Sequence, residues 1–389
     1  MDNHVILKKH EEVRLLTGHQ WVFSNEIATI NGTPAAGDVV EILKHDGSLL
    51  GLGFFNPHSL ISVRFLTSQK EEINSDFFER RISDALSLRR RLYPDLESYR
   101  IVNGESDFLP GLIVDKYNEY LAIQTLSFGM DKRIREICDV LESLLHPKGI
   151  VERNDSSLRT LEHLEERKGP LRGDPEHTIV NEYGAKFNVD LLKGQKTGFF
   201  LDQRENRMKV RKHVGGADVL DCFCNEGAFA VHASLGNAKS VLGFDISETA
   251  VERARVNSVI NQCENVKFEK GDVFEVLKEH SAQRKRFDVV ILDPPSFTRS
   301  RKNVRSALKG YKAINGLALS VINQGGFLVT ASCSHHITEE AFLDTVEESA
   351  IKSGRKLRLL ELTGAGADHP VLVPMPETKY LKFAIFSVH

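Results

Sequence analysis

Cys333 stands in the segment TASCSHH (residues 330–336), where a predicted apolar strand ends in a loop, and a serine and two histidines follow it. A cysteine thiolate can act as a nucleophile, whereas a free cysteine is usually buried and packs as a small apolar side chain. By itself the segment favours the packing interpretation. The residues at neighbouring strand ends must therefore decide which role Cys333 has.

The loop after an earlier predicted strand, in LDCFCNEGAF, lies where nucleotide-binding folds place their ligand. It offers Asp221, Phe223, Asn225 and Gly227, and its single glycine does not fit the G-x-G-x-x-G spacing of a dinucleotide-binding turn. A pyrophosphate needs backbone amides and no nearby carboxylate, so Asp221 argues against NAD. The loop favours a cationic ligand without phosphates, and S-adenosylmethionine is such a ligand.

Two further acids end the next two predicted strands, Asp245 in GFDIS and Asp272 in KGDVF. An acid at the position of Asp245 accepts hydrogen bonds from ribose hydroxyls, and Asp272 could face the adenine. Either acid alone could equally well cap a helix. Because Asp221, Asp245 and Asp272 end three successive strands, we expect them to form one cofactor-binding edge.

These acids and Cys333 lie in a region, residues 177–389, where predicted strands and helices alternate. The alternation indicates a doubly wound α/β sheet of parallel strands, with ligands bound outside the carboxyl ends of the strands. Residues 1–72 form short β segments divided by turn residues, which predicts a β barrel or sandwich. Residues 73–176 predict a small α+β domain that begins with a helix capped by Ser75. The charged segment EERKGPLRGDPEH (165–177), which is rich in glycine and proline, is expected to contain a domain boundary.

The overall composition limits the partners of the chain. The formal net charge is -3, so any nucleic-acid contact must come from a local basic face. The N-terminal segment lacks an apolar signal core, and no window has the apolar length of a membrane span, so we expect a cytoplasmic protein without membrane contact. The five cysteines are scattered without the spacing of a zinc site, and no metal is expected.

The motifs LDCFCNEGAF, FDIS, GD and DPPSF, in that order, resemble those of a class I S-adenosylmethionine-dependent methyltransferase. With LKGQKTGFFLDQRENR upstream and SCS downstream, nearly the whole chain resembles the bacterial large-subunit ribosomal RNA cytosine-5 methyltransferases that carry an N-terminal PUA domain. The resemblance implies a PUA barrel, a central α+β domain and a C-terminal Rossmann-like domain. It implies that the following residues help to close the cofactor site: Lys196, Thr197, Gly198, Phe200, Asp202 and Arg204.

The resemblance also implies a chemistry for Cys333. Cytosine carbon 5 is a poor nucleophile, and a thiolate that adds to carbon 6 makes carbon 5 reactive; a base then removes the carbon 5 proton and the thiolate leaves. Either His335 or His336 could assist deprotonation of the thiol. Asp293, in DPPSF, would contact the polar edge of the base and border the cofactor.

One position departs from the related RNA enzymes. Many RNA cytosine-5 methyltransferases carry a second cysteine just after the proline pair, and this chain has Ser296 there. The group that removes the carbon 5 proton is therefore open. The substrate base must leave its stack to be reached, so we expect RNA contacts from the loop and the basic run after it: Pro294, Pro295, Ser296, Arg299, Arg301, Lys302, Arg305, Lys309 and Lys312.

Other functions remain open from sequence. DPP motifs also serve methyltransferases that modify a nucleobase nitrogen, and such an enzyme needs no cysteine. A ribosome-assembly factor with an inactive cofactor pocket would bind RNA without methyl transfer. A small-molecule methyltransferase would leave the two additional domains and the basic run unexplained. The expected partner is large-subunit ribosomal RNA, and a homodimer is one assembly that the sequence allows.

Overall fold

A computed structural model describes residues 3–298 and 300–389. The chain divides into two compact units. The first comprises Met1–Val180, Val189–Leu201 and Ala367–Thr378, and the second comprises Asn181–Asn188, Asp202–Gly366 and Lys379–His389. None of the helices in the described part of the chain is long and apolar enough to span a membrane.

The first unit begins with a six-stranded β sheet, in the region where the sequence predicts a β barrel or sandwich. Its strand order is β2-β6-β5-β4-β1-β3, and all neighbours are antiparallel except β1 and β4. Alternate side chains such as Val5, Leu7, Val40 and Ile42 are fully buried, as the two-residue period of a strand requires. The elements are β1 (His4–Leu7), α1 (Val13–Leu16), β2 (Trp21–Phe23), β3 (Ile27–Asn31), β4 (Val39–Leu43), β5 (Leu49–Phe55) and β6 (Ile61–Thr67).

The remainder of the first unit is a five-stranded sheet with helices, in the order β11-β10-β9-β8-β7. The predicted helix after the barrel forms, but its cap is Asn74, whose side chain accepts from the amide of Phe77, and not Ser75, which is already helical. The elements are α2 (Ser75–Leu92), β7 (Ser98–Asn103), β8 (Leu112–Tyr117), β9 (Tyr120–Thr125), α3 (Phe128–Lys132), α4 (Ile134–Leu145), β10 (Gly149–Asn154) and β11 (Arg167–Arg172).

The segment expected to contain a domain boundary includes a strand. β11 pairs antiparallel with β10 and lies at the edge of the sheet. Charged side chains and Pro170 are typical of edge strands, because they discourage further strand pairing. The chain next forms a hairpin of β12 (His177–Glu182) and β13 (Ala185–Asp190), whose residues fall partly in each unit. The division into three domains at 72 and 176 stays a prediction.

The second unit is the predicted Rossmann-like sheet. Its seven strands have the order β16-β15-β14-β17-β18-β20-β19, and the five strands β14 to β18 pair in parallel. The elements are α5 (Arg204–Arg211), β14 (Asp218–Cys222), α6 (Ala228–Leu235), β15 (Ser240–Asp245), α7 (Glu248–Ile260), β16 (Val266–Lys270), α8 (Val273–Ala282), β17 (Phe287–Leu292), α9 (Val304–Val321), β18 (Ile322–Ser332), α10 (Glu339–Lys352), β19 (Leu357–Thr363) and β20 (Lys382–Val388).

Two features of this sheet position the candidate site. β14 lies between β15 and β17, so the strand order reverses there, and this is where doubly wound folds bind their ligands. β20 runs antiparallel to β18, and its first residue, Lys382, lies opposite Ser332 at the end of β18. The first residue of β20 therefore lies at the same edge of the sheet as the carboxyl ends of the parallel strands.

Candidate active site

A buried, unpartnered carboxyl group marks the carboxyl edge of the sheet. Asp221, near the end of β14, is fully buried, and neither carboxyl oxygen has a hydrogen-bond partner within residues 3–298 and 300–389. Burial raises the pKa of Asp221 well above its ordinary value, and the charges of Asp293 and Asp245 raise it further, against a smaller opposite effect of the Ala230 amide. Such a group is stabilised by a positive charge and destabilised by phosphate.

The loop between β14 and α6 has three residues in the left-handed region. Phe223, Asn225 and Gly227 have φ of 61°, 48° and 78°. A Cβ on Gly227 would lie 2.6 Å from the ring of Phe268, so this position requires glycine for packing as well as for its backbone conformation. The loop thus passes close to the sheet before it enters α6.

Asp245, at the end of β15, is held by the backbone. Its two carboxylate oxygens accept from the amides of Asn225, at 3.0 Å, and Ser247, at 2.9 Å. These contacts fix the carboxylate beside the loop after β14, and each oxygen retains a lone pair for a further donor such as a hydroxyl. This arrangement suits the ribose contact expected of Asp245.

Asp272 has a structural role that accounts for its position. Its Oδ1 accepts from the amides of Phe274, at 2.9 Å, and Glu275, at 3.2 Å, and so it caps the N-terminus of α8. This is the alternative that the sequence left open. A contact with adenine stays a prediction.

The segment 196–204 is divided between the two units. In the first unit, the Thr197 hydroxyl donates to the Asp115 carboxylate at 2.5 Å, and the Lys196 ammonium lies 4.4 Å from the centroid of the Phe200 ring. Gly198 has φ of 148° and closes a bridge with Gln195. These residues form a compact turn, and their part in a cofactor site stays a prediction.

The end of the same segment belongs to the second unit. The carboxylate of Asp202 accepts from the Tyr380 hydroxyl at 2.5 Å, and the buried Arg204 guanidinium lies 3.9 Å from the Glu182 carboxylate. Gln203 between them donates to Asp293 at 3.0 Å. The sequence did not single out Gln203, yet it directly contacts the DPPSF carboxylate.

Cys333 follows the last residue of β18 and is partly exposed. The other four cysteines are buried, and burial raises the pKa of each of their thiols. Hydroxyl groups connect the loop that carries Cys333 to the DPPSF loop. The hydroxyls of Ser296 and Ser334 lie 2.9 Å apart, and the Tyr311 hydroxyl lies 3.0 Å from that of Ser334. The serine that stands in place of a second cysteine therefore fixes the Cys333 loop.

Lys382, which the sequence analysis did not single out, lies beside this loop. It is 2% exposed, and its ammonium donates to the carbonyls of Ser334, at 2.7 Å, and Tyr380, at 2.8 Å. A lysine opening the apolar strand KFAIFSV was the only signal in the sequence. His335 and His336, which the sequence offered only as candidates for assisting Cys333, are both exposed.

The basic run lies partly within the described residues. Arg299 and the side chain of Arg301 fall outside them. Lys302, Arg305 and Lys309 are exposed, and the last two lie one turn apart on α9. Lys312 forms an ion pair with Glu348, so the positive face is shorter than the sequence suggests.

Comparisons with known proteins agree with this architecture. A PUA-like domain model matches residues 5–68, and a methyltransferase domain model matches residues 213–364. The chain is 40% identical over 390 residues to ribosomal RNA large subunit methyltransferase I of Tolumonas auensis, covering 98% of each chain, and 38% identical to that of Vibrio cholerae, covering 97% of each. The chain belongs to the ribosomal RNA large subunit methyltransferase I family.

A solved structure carries the same fold as this family member. SMU.776, assigned as a methyltransferase and crystallised with S-adenosylhomocysteine, superposes with a TM-score of 0.86 at 21% identity, covering 99% of each chain. The predictions of a PUA-like N-terminal domain, a Rossmann-like methyltransferase domain and S-adenosylmethionine as cofactor are confirmed. The buried Asp221 carboxyl fits that cofactor, which carries a sulfonium charge and no phosphate.

Proposed function

We propose that the chain forms 5-methylcytosine in 23S ribosomal RNA, with S-adenosylmethionine as methyl donor and Cys333 as nucleophile. The substrate class rests on the names of the relatives, which are large-subunit ribosomal RNA methyltransferases. The chemistry is supported by the position of Cys333. It is partly exposed at the end of β18, in a loop hydrogen bonded through Ser334 to Ser296 of the DPPSF loop.

The residues at the sheet edge divide into a cofactor set and a base set. Asp245 would bind the ribose, Asp272 the adenine, and Asp221 the positive end of the cofactor, with segment 196–204 closing over it. When bound, the cofactor supplies a methyl group on a positively charged sulfur. Asp293, held by Gln203 at 3.0 Å, would border both the cofactor and the polar edge of the base.

In this proposal Cys333 forms a transient covalent bond with the substrate base. The Cys333 thiolate adds to carbon 6 of an unstacked cytosine, and the electron pair displaced toward carbon 5 makes that carbon nucleophilic. After methylation, a base removes the proton from carbon 5, and its electron pair expels the thiolate from carbon 6. The aromatic ring and the free Cys333 are both restored.

The remaining predicted contacts involve RNA. Pro294, Pro295 and Ser296 would contact the base, and the exposed Lys302, Arg305 and Lys309 would supply charge for phosphates. Arg299 and Arg301 are proposed on sequence grounds to extend this face. A flipped base and a basic strip beside it are what a methyltransferase acting on an RNA loop requires.

The deciding experiment is transfer of a labelled methyl group to unmodified large-subunit ribosomal RNA, followed by identification of the labelled nucleoside. We expect 5-methylcytosine with the wild type and a loss of at least about a thousandfold in rate with Cys333→Ala, since removing a catalytic nucleophile costs on this scale. The matched control is Cys263→Ala, which removes a thiol away from the site and should retain activity.

Two outcomes would contradict the proposal. A methylated purine or a nitrogen-methylated cytosine, made equally well by Cys333→Ala, would establish nitrogen methylation without a cysteine. RNA binding without any methyl transfer by the wild type would favour a ribosome-assembly factor.

A further inference from the structure

Lys382 is a buried cation with an incomplete set of partners. Its ammonium has three donors, and two of them are used by the carbonyls of Ser334 and Tyr380. Within the described ranges 3–298 and 300–389, no carboxylate lies within ion-pairing distance of it and no acceptor is found for its third donor. Its direct partners among the described residues are therefore carbonyl dipoles and not an ion pair.

Other buried cations of the chain are compensated differently. The guanidinium groups of Arg89, Arg159 and Arg207 are as deeply buried, and each forms an ion pair with a carboxylate. Burying a charge without an opposite charge is costly, and a methionine would fill the same space without that cost. The position of Lys382 therefore requires a reason other than packing.

The reason lies in its neighbour. β18 and β20 are paired so that Ser332 lies opposite Lys382, and Cys333 is the next residue after Ser332. The carbonyl that Lys382 binds belongs to Ser334, so the lysine binds the residue that directly follows the cysteine. The ammonium is thus placed at the turn that presents the thiol.

We propose that Lys382 is the positioning residue of Cys333: its positive charge stabilises the thiolate, and its bond to Ser334 fixes the loop that carries it. The inference rests on the proposed function of Cys333 as a nucleophile. In forming the thiolate, the thiol proton passes to water, and Lys382 makes no bond to the substrate. Lys382 thus favours deprotonation of the Cys333 thiol, the role for which His335 and His336 were candidates from sequence.

The electrostatics of the surrounding elements support this role. Burial lowers the pKa of Lys382 to about 8, while the charge of Cys333 acts to raise it. Lys379 lowers it and Glu339, on α10, raises it, but those two side chains also pair with each other at 2.8 Å. Tyr311, on α9, is neutral here because burial raises the pKa of its hydroxyl. Lys382 is therefore mostly charged at pH 7 and loses its charge as the pH rises through about 8.

The test measures the thiolate directly, without RNA or cofactor. The rate of alkylation of Cys333 by iodoacetamide is followed by mass spectrometry from pH 5 to 10 in the full-length wild type and in Lys382→Met. We expect alkylation at pH 6 to be about tenfold slower in Lys382→Met, because an adjacent opposite charge changes a pKa by about one unit or more. Lys379→Met, which removes an exposed charge nearby, is the control and should alkylate like the wild type. Equal rates in folded Lys382→Met and wild type would overturn the proposal.

A reciprocal measurement covers the case in which Lys382→Met does not fold. In wild type and Cys333→Ala labelled with ¹³C at lysine Cε, the titration midpoint of Lys382 should be lower in Cys333→Ala, because the attraction of the thiolate is gone. An unchanged midpoint would contradict the proposal. Neither readout depends on methyl transfer: if Cys333→Ala still methylates RNA, the proposed function fails, whatever the alkylation and titration data show.

Discussion

Buried charged side chains differ in their partners between two regions of the molecule. In the first unit they are paired: Arg89 binds Asp107 at 2.7 Å, and the Arg159 guanidinium lies 2.9 Å from Asp131. At the carboxyl edge of the Rossmann-like sheet, Asp221 has no hydrogen-bond partner within the described ranges, and Lys382 has only carbonyls. Paired charges hold a fold together, whereas unpaired ones are retained where a ligand or a reacting group will complete them.

The difference is not one between the two units, because the second unit also contains a paired cluster. Glu182 is buried and accepts from Arg207 at 2.7 and 2.6 Å and lies 3.0 Å from the His232 ring nitrogen. Although burial alone would raise the pKa of Glu182, Arg207 and His232 hold it far below its ordinary value. The second unit thus contains both a cluster of paired buried charges, which stabilises the fold, and a sheet edge with unpaired buried charges, which serves the function.

The largest expected effect comes from disrupting the buried ion-pair cluster around Glu182. Glu182→Gln removes the carboxylate from Arg207 and should lower the free energy of unfolding by about 3–5 kcal/mol, the usual cost of leaving a buried charge without its partner. Chemical denaturation measures this. Because the pKa of Glu182 is lowered in the folded state, its stabilisation is present above the ordinary value of 4.5 and is lost as the pH falls. The variant should therefore lose less stability than the wild type on acidification.

The matched control for this prediction is an exposed ion pair. Glu275 and Lys278 lie 2.8 Å apart on the surface of α8. Glu275→Gln should leave the unfolding transition where it is, since exposed pairs contribute little. If both substitutions had the same small effect, burial would not be what distinguishes the two kinds of cluster.

A smaller effect should follow from removing the unpaired carboxylate at the carboxyl edge of the sheet. Asp221→Asn should weaken binding of S-adenosylmethionine by about tenfold, roughly 1.4 kcal/mol, because the carboxylate that faces the positive charge of the cofactor is lost. The raised pKa of Asp221 means that the folded chain keeps this proton above pH 3.8, where the unfolded chain loses it. Stability from this group therefore falls as the pH rises, so Asp221→Asn should be more stable than the wild type at pH 8.

Calorimetric titration and thermal unfolding test these two expectations together. Wild-type affinity should increase as the pH rises, as cofactor binding favours the ionised form of Asp221, and Asp221→Asn should lose that dependence. Weaker binding accompanied by lower stability would instead make Asp221 an ordinary packing residue.

The fold of the second unit could be predicted from sequence because its signals are local. Alternating apolar strands and helices place Asp221, Asp245 and Asp293 at the ends of parallel strands, and no long-range contact is needed to see it. The cap of α2 was misplaced by one residue, since Asn74 and Ser75 are both good caps and only geometry selects between them. β11 was missed because none of its side chains is fully buried and its sequence resembles a loop.

Long-range relations could not be predicted in the same way. The Asp368 carboxylate accepts from the Arg100 amide at 2.9 Å, which places a late segment in the first unit. The importance of Lys382 depends on the register of β18 and β20, whose paired residues Ser332 and Lys382 lie 50 positions apart in sequence. A single charged residue before an apolar strand gives no indication of which loop it will face.

The smallest expected effect concerns exposed charges, which water and salt ions screen. Arg305 and Lys309 are exposed on α9, whereas Lys312 on the same helix is paired with Glu348. The double substitution Arg305→Gln and Lys309→Gln should weaken RNA binding by a few-fold, and the slope of log affinity against log salt should become shallower by about 1.4, roughly 0.7 for each single-strand phosphate contact. Lys312→Gln, the control, should change neither quantity, because its charge is already neutralised. Equal losses in both variants would show that pairing with Glu348 does not withhold Lys312 from RNA, and the contrast between paired and unpaired charge would then hold only for buried groups.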